Sequence, residues 1–167
     1  MTRRVIKALP ITAERFSPFG DVIAAKQAGM TTMNEARFEQ FANLANVDID
    51  RAGGISIGIV RSKSPTSFPY HFDMVERHPL GSQAFIPLTE FVFVVVVARP
   101  AEFVRVEDLH AFVTNGRQGV NYHRGTWHMP LIAMAEGQEF LVIDRSPPQD
   151  NCEELILEKP AVLESPC

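Results

Sequence analysis

The sequence predicts an all-β protein with a few short helices, its strands arranged antiparallel in a barrel or sandwich. Three observations predict it. Short runs rich in β-branched and aromatic residues recur at close spacing between Gly, Pro and Asn turn signals. No long amphipathic helices alternate with them, as a parallel sheet would require. The run at 90–98 is so dense in Val and Phe that both of its faces must be covered, which marks a central strand. With 167 residues, 46% hydrophobic and 22% charged, the chain is expected to fold as a single domain over residues 1–167 around a full-sized core.

In order along the chain, residues 3–9 carry Val5, Ile6 and Leu9 before Pro10, and 12–16 reads as one helical turn with Thr12 as its cap. Phe16, Ser17, Pro18, Phe19 and Gly20 turn the chain into an extended stretch at 21–24. Residues 33–45 place Phe38, Phe41 and Ala45 at helical spacing inside a β-rich context, so the stretch reads as helix or strand. After Gly53 and Gly54, the alternation of Ile55, Ile57 and Ile59 with Ser56, Gly58 and Val60 predicts a strand whose isoleucines belong to the core.

Further on, 74–78 reads as extended, 79–82 as a tight turn, and 83–88 as a second strand, together a hairpin. Beyond Pro100, 106–109 suggests a turn of helix and 111–114 a strand that ends at the Asn115, Gly116 turn. Residues 119–123 and 127–134 flank a turn at Arg124 and Gly125, and 140–145 is the last strand before Pro147 and Pro148.

Composition narrows the function. The net charge of −4 comes with no basic patch, so nucleic acid is not expected as a partner. The longest apolar run, 91–98, is far short of the roughly 20 residues of a membrane helix, and residues 1–20 lack an apolar signal core. Cys152 and Cys167 form no spacing motif, and no catalytic role is assigned to either. A soluble, cytoplasmic protein is expected.

Chemistry concentrates in two places. Glu76 and His78 are two residues apart, so on a strand they leave the same face while Arg77 leaves the other, free to pair with a surface acid. The hairpin returns Gln83 toward them. Small barrels of the cupin type carry two histidines separated by a single residue, a glutamate five residues after the second and a subsequent Gly-x-x-His turn. Glu76, His78 and Gln83 hold the first three of these places, and Gly125 to His128 supplies the fourth. If a metal binds, those four are its ligands, with nickel or manganese as the suitable ions; the neutral Gln83 predicts weak binding.

A closer resemblance rests on longer stretches. Glu-Arg-His-Pro-Leu-Gly-Ser-Gln-Ala-Phe-Ile-Pro-Leu at 76–88, Phe-Val-Val-Val-Val at 93–97, Ala-Phe-Val-Thr-Asn-Gly at 111–116, Gly-Val-Asn-Tyr-His-Arg at 119–124, Trp-His-Met-Pro-Leu at 127–131, Asp-Arg at 144–145 and Asn-Cys at 151–152 resemble the ureidoglycolate lyase family, also called ureidoglycolate hydrolase. The opening at 16–23 is similar too, so the resemblance spans nearly the whole chain. It implies a cupin-like β-barrel (double-stranded β-helix), a homodimer, and release of urea from (S)-ureidoglycolate to give glyoxylate in purine breakdown through allantoin. His71 lies in a stretch outside the resemblance.

That reaction takes a proton from the substrate hydroxyl and returns one to the leaving nitrogen. Glu76, His78 and His128 are the expected catalytic residues, because an imidazole titrates near neutrality and a neighbouring carboxylate can orient it or share the proton. The anionic substrate calls for a cation or amide donors, and Gln83, Asn121, Tyr122 and Arg145 are the expected binders. Asn121 reads equally as a turn-stabilising amide, Asp144 and Arg145 as an internal ion pair. Two alternatives stay open: an amidohydrolase releasing ammonia and carbon dioxide from the same substrate, and a non-catalytic cupin that binds a small acid.

Overall fold

The structure, a computed structural model, describes residues 3–26, 28–147 and 151–166. Pro148 and Cys167 therefore lie outside the described residues. The elements in chain order are β1 (Arg4–Ile6), β2 (Ala8–Pro10), α1 (Ala13–Phe16), β3 (Gly20–Ile23), β4 (Met30–Met33), β5 (Phe38–Phe41), β6 (Gly54–Arg61), β7 (Tyr70–Arg77), β8 (Gln83–Pro87) and β9 (Val94–Ala98). After a 3-10 turn at Val106–Asp108 come β10 (His110–Val113), β11 (Gly119–Tyr122), β12 (Trp127–His128), β13 (Glu139–Ser146) and β14 (Glu153–Leu163).

Two sheets face each other in a nearly closed, cupin-like barrel. One runs β1-β14-β7-β12-β9-β10-β2 and the other β3-β11-β8-β13-β6, while β4 and β5 form a separate hairpin. Pairing is antiparallel except at the margins of the larger sheet, where β1 runs parallel to β14 and β2 parallel to β10.

The two-residue period of β9 divides the core. Val95 and Val97 face the opposing sheet and meet Phe85, Val120, Tyr122, Phe140 and Val142. Val94, Val96 and Ala98 join Val75, Trp127, Leu109 and Leu157 in a second cluster. Both faces of Val94–Ala98 are thus covered, whereas Val92, inside the expected 90–98 strand, precedes β9 and is 40% exposed. Phe140 meets Phe85, Phe91 and Phe93 edge to face, with centroids 6.2, 5.0 and 5.0 Å apart. The helical turn is capped as expected, the Thr12 hydroxyl accepting the Arg15 backbone N–H at 3.2 Å.

Other expectations change as well, and one open reading is settled. Within 33–45, Met33 ends β4, a turn follows, and Phe38–Phe41 forms β5 with Phe38 59% exposed, while Ala45 lies beyond the hairpin. Ile55, Ile57 and Ile59 are not core residues: they are 56%, 69% and 63% exposed. Strand β6 sits at a sheet edge, pairs on one side only with β13, and turns these side chains away from the barrel interior. After the turn at Arg124 and Gly125, 127–134 contributes the two-residue β12, Pro130 lacking the backbone N–H that would extend the ladder. Finally, the sequence offers no strand after Pro147, yet β14 is the longest in the chain. A bulge between Ile156 and Ala161 shifts its register, so its apolar residues do not keep one alternation.

Between β5 and β6, residues 46–50 lie across the turn that joins β7 to β8. The Ser82 N–H donates to the Asp48 carbonyl at 2.7 Å, the Asp48 N–H to the Ser82 hydroxyl at 2.9 Å, and the Asp50 N–H to the Leu80 carbonyl at 2.9 Å. This strap holds the end of the barrel where the candidate residues gather.

Candidate active site

Glu76 is the penultimate residue of β7, where the inner pleat faces the opposing sheet, and His128 is its direct partner on β12. His128 also pairs with Val97, which fixes it on the inner face, while the flanking Trp127 joins the outer cluster. His78 follows two residues after Glu76 and brings its ring to 5.2 Å from that of His128. Glu76 Oε1 lies 3.9 Å from His128 Nδ1. Each of the three offers a ligand atom within 4.8 Å of the others. The catalytic trio expected from the sequence therefore converges.

Both histidines are oriented by backbone carbonyls, which only accept. His78 Nδ1 donates to the Asn151 carbonyl at 2.5 Å, and His128 Nδ1 to the Met129 carbonyl at 2.9 Å. Each Nδ1 therefore carries a proton, and in a neutral ring the lone pair is left on Nε2. Among the described residues, both Nε2 atoms and Gln83 Oε1 are buried without a hydrogen-bond partner. Burial pushes the His128 pKa down to about 3, against a smaller rise from its Met129 hydrogen bond, so the ring is neutral near pH 7. Burial likewise raises Glu76 above the ordinary carboxyl range, opposed by His78. Tyr122 stacks on His128 with centroids 4.3 Å apart and rings 9° from parallel. Its hydroxyl titrates above the usual range, chiefly through burial.

The expected binders divide by pleat. Gln83 and Tyr122 are paired on β8 and β11 and face inward. Asn121, one residue before Tyr122, leaves the other face, where its Nδ2 donates to Asp21 Oδ2 at 2.9 Å and to the Asn46 carbonyl at 3.1 Å. Arg145 also faces outward, its guanidinium donating to Asp50 at 2.6 Å and to the Pro147 carbonyl at 2.7 Å. Neither is brought to the Glu76 cluster, because the period of two puts alternate residues on opposite faces. The expected Asp144 to Arg145 side-chain pair is likewise replaced by Asp50 to Arg145. Arg77 pairs with Glu153 outside the barrel and lies over Trp127 at 4.6 Å.

Four residues passed over in the sequence stand close by. Asp144 accepts from Gln83 Nε2 at 2.8 Å. Its inward direction was readable from Phe140 and Val142, four and two positions earlier on the same pleat. Asn151 is nearly fully buried; besides its carbonyl on His78, its side-chain oxygen accepts the Leu80 N–H at 2.8 Å. The Cys152 thiol donates to Glu76 Oε2 at 3.7 Å, and Glu154 pairs with Glu76 across β7 and β14. Asn151 and Cys152 enter the sequence reading only through the family resemblance, and Glu154 through no pattern, because β14 itself was not legible.

The ureidoglycolate lyase family model matches residues 3–164. The chain belongs to the ureidoglycolate lyase family. It is 45% identical over 152 residues to the ureidoglycolate lyase of Pseudomonas paraeruginosa, covering 90% of this chain and 89% of that one. It is 40% identical to that of Burkholderia cepacia over 92% of this chain and 87% of the relative. To that of Rhizobium etli it is 42% identical over 94% of each. Family members therefore align across the whole barrel, including the segments that carry Glu76, His78 and His128.

The donor set also fits a divalent ion. Two imidazoles fixed by carbonyls with bare Nε2 atoms, a carboxylate and an amide oxygen are the ligand types of nickel or manganese, and backbone orientation of the far ring nitrogen is the usual support of a histidine ligand. Glu76, His78, His128 and Gln83 would hold it.

Proposed function

We propose that the protein is a lyase that eliminates urea from ureidoglycolate to leave glyoxylate. The observation that carries this reading is the convergence of the His78 and His128 imidazoles with the Glu76 carboxyl group, which is held above its ordinary range. The lone pair of His78 Nε2 takes the hydroxyl proton. The C–O bond gains its second component as the C–N bond breaks, and the electron pair goes to the ureido nitrogen. Glu76 supplies the proton that nitrogen needs to leave as urea. His128, whose pKa near 3 makes it a poor base, accepts a hydrogen bond and fixes the substrate against Glu76.

A bound divalent ion would grip the substrate carboxylate and hydroxyl together and lower the hydroxyl pKa. Because Gln83 is a neutral ligand, we expect the ion to be weakly held and turnover to survive chelation. Turnover lost to chelator and restored by one equivalent of nickel or manganese assigns the four side chains as ligands instead.

We further propose a homodimer in the cytoplasm. Its support is β6, an eight-residue edge strand with Ile55, Ile57 and Ile59 exposed in a row, and a free thiol at Cys152 suits a reducing compartment. Among the described residues no helix is long and apolar enough to cross a membrane. The test of the activity is product analysis on ureidoglycolate, corrected for spontaneous decay. Urea and glyoxylate in equal amounts support the lyase; ammonia and carbon dioxide identify an amidohydrolase; no products identify a silent binder.

A further inference from the structure

Gln83 is 8% exposed, and its amide nitrogen Nε2 donates to Asp144 Oδ2 at 2.8 Å. The other Asp144 oxygen, Oδ1, accepts the Arg145 backbone N–H at 2.7 Å. A carboxylate has no proton to donate, so the amide nitrogen must face Asp144 and the amide oxygen must face away. That oxygen is buried without a partner. The two residues sit on neighbouring strands, one place beyond the paired Ala84 and Ile143. Gln83 also pairs with Tyr122, whose ring lies on His128, so it shares the inner end of the barrel with that histidine.

From this geometry we infer that Asp144 is a positioning residue that fixes Gln83 with its carbonyl oxygen toward the site, where it accepts a hydrogen bond from the ureido N–H groups of the substrate. An acceptor repels a carboxylate, so Gln83 is not the carboxylate binder its residue type suggests. The hydroxyl proton is committed to the base, which leaves the ureido N–H groups as the donors this oxygen can read. The choice of substrate rests on the lyase reading above; the orientation of the amide does not.

The experiment compares Gln83→Glu, Asp144→Asn and the double variant. Gln83→Glu sets two carboxylates against each other, and Asp144→Asn leaves one oxygen for two N–H donors and frees the amide to turn. Each single change should lower kcat/KM about 10-fold or more. In the double variant the amide and the carboxylate have changed places. The amide nitrogen introduced at position 144 can donate to one oxygen of the carboxylate introduced at position 83, while the amide oxygen keeps the Arg145 N–H. The second oxygen of that carboxylate again faces the site. Its kcat/KM should return to within about 3-fold of wild type. A double variant that melts like wild type yet stays as slow as Gln83→Glu would overturn the inference, because nitrogen donation would then be the working property.

Side-chain amide resonances of Gln83, recorded without substrate, test the orientation alone. Slow proton exchange in the wild type that is lost in Asp144→Asn supports it, and equal exchange in both refutes it. Failure of the wild type to release urea would remove the lyase reading while leaving this arm decisive. Glycolate, which has the hydroxyl and carboxylate but no ureido group, should inhibit wild type and Asp144→Asn equally; weaker inhibition of the variant would move the contact to the hydroxyl and overturn the assignment.

Discussion

His128 is the residue whose environment has the clearest thermodynamic consequence. Its folded pKa of about 3 lies below the 6.5 of an unburied imidazole, so between those values the unfolded chain binds the extra proton. The contribution is complete above pH 6.5 and is lost as pH falls toward 3, at no more than about 1.4 kcal/mol per pH unit. Thermal melting of chelator-treated protein across that window should show a steep acid limb that flattens in His128→Gln. A limb unchanged by the substitution would place its origin elsewhere. For His78, replacement by Asn should lower kcat by about 10²–10⁴-fold with KM nearly constant, measured by urea release. At this scale the placement of much of the candidate site was legible: that Glu76, His78, Gln83 and His128 face inward follows from spacing, since a strand and a turn have fixed directions. The errors were of parity. Val120 and Tyr122 inside place Asn121 outside, and Phe140 and Val142 inside place Asp144 inside and Arg145 outside. What misled was residue type, an arginine being attractive for an anionic substrate whatever face it occupies.

Among the elements, the 46–50 strap gives Arg145 its role. Asp50 is held below the usual carboxylate range, first through its hydrogen bond from Arg145, and Arg124 pairs with Asp48 at 2.6 Å further along the strap. A Cβ at Gly53 would stand 2.7 Å from Arg145 Nε and 2.7 Å from Asp50 Oδ1, so a side chain there would displace this pair. Arg145→Lys, which keeps the charge but loses the planar fork, should lower Tm while leaving the KM of the folded enzyme for ureidoglycolate unchanged. A rise in KM of about 10-fold without a change in Tm would return Arg145 to the list of binders. Strands with uniform apolar density or clean turns, such as β8, β9 and β13, were readable. Strand β6 was readable as a strand but not as an edge, because alternation reports a face and not what covers it. Strand β14 escaped notice because Lys159 and Pro160 interrupt its pattern at the bulge, and with it went Asn151, Cys152 and Glu154.

Across the whole molecule, the fold class followed from strand density and the absence of long helices, and the sheets supply what the chemistry needs. The larger sheet contributes Glu76 and His128, the smaller one Gln83, Tyr122 and Asp144, so the site exists only when the two are packed together. The aromatic core between them should be correspondingly sensitive: Phe140→Ala is expected to cost about 3–5 kcal/mol in denaturant unfolding. The outer face makes a separate claim. Ile57→Lys should shift the mass by light scattering from dimer to monomer, and a wild type that is already monomeric would end the dimer proposal. The most direct measurement of the central claim is single-turnover urea release from ureidoglycolate by the wild type and by Glu76→Gln, which keeps size and hydrogen bonding but removes the titrating proton. The account predicts one urea per glyoxylate from the wild type and a rate about 10²–10⁴-fold lower in the variant, with substrate affinity preserved. Wild-type urea release undiminished in Glu76→Gln would contradict it.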